Sequence, residues 1–154
     1  PTPGGRSPTP CTPEPAGVID EIMAGKALRR VVLDRPDKEF EFLLTEGALR
    51  WRLLDAAGMA KQLEHLAAIA ARPNVTVEVI PFSVEVPTGP LNMFSLYDDR
   101  LAAIEDKTGL LMLRDPTDVR YYTELFELYR RYALRGADAR DFVLSVAEDF
   151  RRDS

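Results

Sequence analysis

The chain has 154 residues, with 20 basic and 25 acidic side chains for a net charge of −5, and is 45% hydrophobic and 29% charged. These values suit one globular domain with a real core; they exclude global disorder and collagen-like repeats and argue against nucleic-acid binding through bulk basicity. A single cysteine, Cys11, and a single histidine, His65, exclude an internal disulfide framework, a cysteine-based zinc cage and a multi-histidine metal site within one chain.

Six of the twelve prolines fall within residues 1–15, so 1–16 reads as a Pro-rich tail or linker. The start at Pro1 implies a cut or processed chain, and nothing there resembles a signal peptide. No apolar run approaches the roughly 20 residues a membrane span needs, which predicts a cytoplasmic protein with no membrane contact. Residues 17–154 are expected to form one α+β domain. Val18, Ile22, Leu28 and Val32 recur at rough helical spacing over 17–33, weakened by Gly25 and stopped before Pro36.

Phe40, Phe42 and Leu44 alternate as in a strand, and Thr45-Glu46-Gly47 opens a short helix through Leu49, Trp51 and Arg52. Met59, Leu63, Leu66 and Ala70 stripe a helix over 59–71, ended by Pro73-Asn74. Val75, Val77 and Val79 alternate with Thr76 and Glu78 in a second strand that stops at Pro81. Beyond the Pro87–Pro90 turn, Asn92–Tyr97, Leu101–Glu105 and Leu110–Leu113 read as an antiparallel meander. Asp115 then caps a helix with Pro116 in its first turn, running to about Ala133. Gly136 separates it from a last helix over 138–151, which carries Ala139, Phe142, Val143, Val146 and Phe150 on one face. The fold class predicted is α+β, with about five short strands and about five helices.

Chemistry is sparsely marked. Glu46 and Arg50 stand at i, i+4 and can pair on one helical face, beside a Trp51 that either lids a ligand or plugs the core. A ligand pocket built from Glu46, Arg50, Trp51, Tyr97 and Glu105 is the candidate site, and a small enzyme using it is the alternative function. No nucleophile, phosphate-loop or zinc-hydrolase motif occurs, so no catalytic residue, metal ligand or cofactor is expected. His65 reads as a solvated or boundary side chain, and Cys11 as inert. On the helix after Asp115, Val119, Tyr122, Phe126 and Tyr129 make one stripe, while Tyr121, Leu125, Leu128 and Tyr132 make a second. Two stripes exceed what one core contact needs, so the second is the candidate partner interface, including one between two copies of the chain. From Arg120 to Asp153 seven arginines face seven acidic residues, a solvated balance that makes no DNA reader.

Four strings in order, FEFLLTEGALRWR (40–52), MAKQLEHLAAIAARPNVTVEVIPF (59–82), GPLNMFSLYDDRLAAIED (89–106) and LRDPTDVRYYTELF (113–126), carry a family resemblance. Over roughly 17–150 the chain resembles the C-terminal domain of uncharacterised function in actinobacterial Xre-type helix-turn-helix regulators, described as antitoxin-like. That resemblance implies a regulatory, non-catalytic domain paired with a small toxin-like protein. This sequence departs from it in having no helix-turn-helix, with a Pro-rich segment where the family's domain usually opens. The function expected is that of a sensor or partner-binding domain of a transcription regulator. It would act by protein association or small-ligand binding, as a homodimer, without touching nucleic acid itself.

Overall fold

The computed structural model describes residues 32–90, 92–105 and 108–153, and its contacts divide the chain into Pro1–Lys38 and Glu39–Ser154. In the first unit, residues 32–38 form a turn in which Arg35 grips both carboxylate oxygens of Asp37 at 2.8 Å. The expected 1–16 tail, with Cys11, and nearly all of the 17–33 helix lie outside the described residues.

The second unit runs β1 (Phe40–Thr45), α1 (Glu46–Arg50), α2 (Ala56–Ile69), β2 (Val75–Ile80), β3 (Met93–Tyr97), β4 (Leu101–Glu105) and β5 (Leu110–Leu113). It ends with α3 (Pro116–Arg130) and α4 (Gly136–Arg152). The α+β class and the three-stranded antiparallel meander are those the sequence predicts.

Short polar side chains set three helix starts. Thr45 accepts from the Ala48 amide at 3.3 Å, Asp55 from Gly58 at 2.7 Å and Asp115 from Thr117 at 2.8 Å. Each satisfies a first-turn N–H that has no partner inside its helix. The Asp55 cap starts α2 at Ala56, ahead of the Met59 at which its apolar stripe begins. Helix α3 stops at Arg130 rather than near Ala133, because Leu134 leaves the helix to exchange hydrogen bonds with Val79 at 2.8 and 3.1 Å. The chain turns into α4 at Gly136, whose φ of +54° is left-handed backbone that costs other residues about 1–2 kcal/mol.

β1 and β2 pair in parallel from Phe40–Val75 to Thr45–Ile80, with α1 and α2 in the crossover between them. Strand β2 takes β1 on one edge and Leu134 on the other. The alternation of Val with Thr76 and Glu78 marks this strand, in which only Thr76 is exposed. Glu78 is buried because Arg130 and Arg135 cover the face it points from. The other face joins the core, where Met59, Ala60, Leu63 and Ala67 of α2 meet Ala139, Val143, Val146, Ala147 and Phe150 of α4. The alanines on both helices leave room for close approach.

In the meander, β4 is central, with β3 and β5 antiparallel on either side. Partners directly opposite share a face, so Phe94, Ile104 and Leu111 lie on one side and Met93, Glu105 and Leu110 on the other. Helix α3 covers the first side, where Tyr122 meets Phe94 with ring centroids 5.0 Å apart.

Candidate functional site

Glu46 directly follows β1 and opens α1, a favourable place for a carboxylate at the positive end of the helix. Its burial is explained by two partners. Oε1 accepts from Arg50 Nε at 2.6 Å, the predicted i, i+4 pair, and Oε2 accepts from the Phe82 amide at 2.8 Å. Because Thr45 and Ile80 end the two strands in register, this one side chain ties together the carboxyl ends of β1 and β2. Arg50 reaches on to Asp149 of α4 at 2.9 Å, and Asp149 also binds Arg152. Arg52 adds a 3.4 Å pair with Asp153 and lies 5.5 Å from the Phe150 ring centroid. Helix α1 is thereby fastened to the last turns of α4.

The hydrogen bond and charge of Arg50 hold the Asp149 carboxyl below its ordinary range, with Arg152 acting in the same direction against partial desolvation. Hydrogen bonding to Glu46, with Asp149 in support, raises the Arg50 guanidinium above its ordinary value. A lowered carboxylate value in the folded state stabilises the fold above the unfolded value of 3.8, and that contribution is lost as pH falls through the folded value. Asp149→Asn should therefore flatten the loss of stability below about pH 4 while leaving the profile near neutrality parallel to that of the parent. Urea unfolding of both proteins between pH 7 and pH 3 measures this. Parallel curves throughout would contradict the pairing.

Around this scaffold the apolar side chains point outward. The Trp51 amide closes α1 by donating to Gly47 at 3.0 Å, and the backbone then turns extended. Trp51 and Leu53 are 71% and 79% exposed, Leu54 is also exposed, and Phe82 is 70% exposed with its ring close to Gly47. Trp51 as a core plug is thus corrected: with Arg50 and Arg52 both drawn toward α4, the indole between them is left facing water. Four large apolar side chains are thus exposed in the segments that follow α1 and β2, and the carboxyl ends of parallel strands are where α/β sheets generally present their ligand crevices.

Glu46 and Arg50 lie on α1, and Trp51 directly follows it. Tyr97 and Glu105 stand on the other sheet, at opposite ends of the β3–β4 ladder and four residue steps, about 13 Å, apart. Both are exposed. A shallow groove of about 420 Å³ opens between the end of the meander and α3, lined by Asn92, Ile104, Thr108, Gly109, Leu110, Leu111 and Tyr122. None of the five candidate pocket residues lines it. On α3, Tyr121 is exposed and edge-on to Tyr122, while Leu125 and Leu128 are half-buried; Tyr132, also half-buried, lies in the turn after the helix. His65 is exposed on α2. Among the described residues no group of three or more His, Cys, Asp or Glu side chains could hold a metal ion, and no helix is long and apolar enough to cross a membrane.

Phe82 and Asp149 are the members that sequence reasoning missed. They lie 36 and 99 positions from the Glu46–Arg50 pair they join, beyond the reach of any local spacing rule.

A family described as a domain of unknown function, DUF5753, matches residues 10–145. No curated protein and no solved structure matches the chain significantly.

Proposed function

The chain belongs to the DUF5753 family, and within that family we propose that it is the partner-binding domain of an Xre-type transcription regulator, antitoxin-like in its pairing with a small protein. The observation that carries this reading is the exposure of Trp51, Leu53, Leu54 and Phe82, large apolar groups that follow α1 and β2, where the buried Glu46 carboxylate joins Arg50 to the Phe82 amide. Exposed aromatic and aliphatic side chains on a rigid support have the composition of protein-binding hot spots. Protein association is favoured over a small ligand because this surface is open, whereas small-molecule sites enclose most of their ligand. Self-association through Tyr121 and the α3 stripe is a second part of the proposal, supported by a tyrosine that is 61% exposed there.

The test is light scattering of the purified chain with and without the protein encoded beside its gene. A stoichiometric complex is expected, and Trp51→Ala with Phe82→Ala should weaken it at least tenfold while urea unfolding stays cooperative. A complex indifferent to both substitutions, or no complex at all, would overturn the reading. Tyr121→Ala with Leu128→Ala should instead affect only the mass of the chain alone.

A further inference from the structure

The uncovered face of the meander goes beyond that reading and lies on a different sheet from the Trp51 surface. We infer that it is a docking face for one amphipathic helix of a partner, about three turns long, with a basic residue at one end.

The alternation of β3 puts Met93 and Tyr97 on the side away from α3, and the pairing register adds Leu101, Glu105, Leu110 and Met112 from β4 and β5. Met93, Leu110 and Tyr97 are 67%, 59% and 58% exposed. The opposite face packs α3 through Phe94, so the sheet has one covered and one open apolar side. An apolar sheet face is ordinarily closed by a second layer.

Size decides what that layer is. Three strands about 4.8 Å apart and five residues of about 3.4 Å make a face of about 14 by 17 Å, or about 240 Å² in plan. A stable pair of protein copies needs about 800 Å² from each partner, so two such faces stacked on each other fall well short, and a helix seated here makes a contact of the weak, transient class. An α-helix is about 10 Å across and covers 17 Å with about 11 residues, which fits the sheet in both directions. The two methionines suit such a ligand, being flexible and polarizable enough to mould to a ridge of side chains. Charge sets its polarity. Among the strand residues of this face Glu105 is the one ionised side chain, flanked across the strands by Met93 and Leu110. A lysine or arginine on the helix meets it at that end.

The probe is a synthetic 14-residue helical peptide with leucine at i, i+3, i+4, i+7 and i+11, glutamine elsewhere and lysine at one terminus. A matched peptide carries glutamate in place of the lysine. Binding to the full chain is read by peptide anisotropy and by methyl NMR of the methionines. Met93 and Met112 signals should shift on titration, the buried Met59 should not, and the lysine peptide should bind at least tenfold tighter than the glutamate one. Glu105→Lys, on an exposed strand end, should reverse that preference. Equal shifts at Met59, no shift at Met93 and Met112, or an unreversed preference in Glu105→Lys would overturn the inference. So would a chain that doubles its mass through this face without peptide, since a second copy would then be the occupant. Loss of the Trp51-dependent complex leaves these readouts unchanged, which keeps the two proposals separable.

Discussion

Val146→Asp should abolish the cooperative unfolding transition at neutral pH. Val146 has no exposed surface, and its cluster is built from Met, Ala, Leu, Val and Phe side chains of α2, α4, α1 and β2. A carboxylate placed there has no cation to pair with, and an unpaired buried charge costs well above about 4 kcal/mol. Total stabilities of single domains are about 5–15 kcal/mol, so that cost consumes most or all of the available stability. Val146→Thr is the informative companion, because it keeps the shape and offers its hydroxyl to the carbonyl one turn earlier. It should cost about 1–2 kcal/mol and leave unfolding cooperative. Circular dichroism in a urea series distinguishes the outcomes. A Val146→Asp protein that unfolds cooperatively with less than about 2 kcal/mol lost would mean that the α2–α4 contact is not the core.

Arg130→Ala should cost about 2–3 kcal/mol, an unusual amount for an arginine near the surface. The reason is Glu78, whose side chain is 4% exposed, whose Oε1 accepts from Arg130 Nε at 3.1 Å and which forms an ion pair with Arg135 at 3.3 Å. Arg130 also holds Glu41 at 3.0 Å and Glu127 at 3.4 Å, so one guanidinium joins β1, β2 and its own helix. Burial is the largest influence on Arg130 and pulls its pKa down, but the hydrogen bond and charge of Glu78, with Glu41 and Glu127, raise it overall. Breaking a fully buried pair costs about 3–5 kcal/mol; the figure is lower here because Arg135 stays on Glu78 and the other partners are partly solvated. Arg130→Met combined with Glu78→Leu should regain most of the loss, since no charge is then left buried. If Arg130→Ala alone costs less than about 1 kcal/mol, the cluster is an ordinary surface network.

The contrast between Glu46 and Glu78 shows what local pattern carries. Glu46 announces its partner because Arg50 is one turn away, and the helix that makes them neighbours is itself local. Glu78 gives no such sign: in VTVEVI it occupies a position that alternation assigns to water. Its cover comes from Arg130 and Arg135, more than fifty positions later. Trp51 errs in the opposite direction. Its size argues for the interior, but the ion pairs of Arg50 and Arg52 with α4 leave it outside. The separation of Tyr97 from Glu105 follows from strand register, which no spacing along the chain expresses.

The residues alone therefore establish the α+β class, the meander, the capping of α3 at Asp115 and the apolar faces of α2 and α4. Each of these depends on periodicity and end chemistry within a few neighbours. Which side of β2 is covered, which face of the meander stays open, and where α1 is anchored were decided only in three dimensions. Burial is a property of what packs from elsewhere, and here Phe82 reaches Glu46, Arg130 reaches Glu78 and Asp149 reaches Arg50 across 36, 52 and 99 residues.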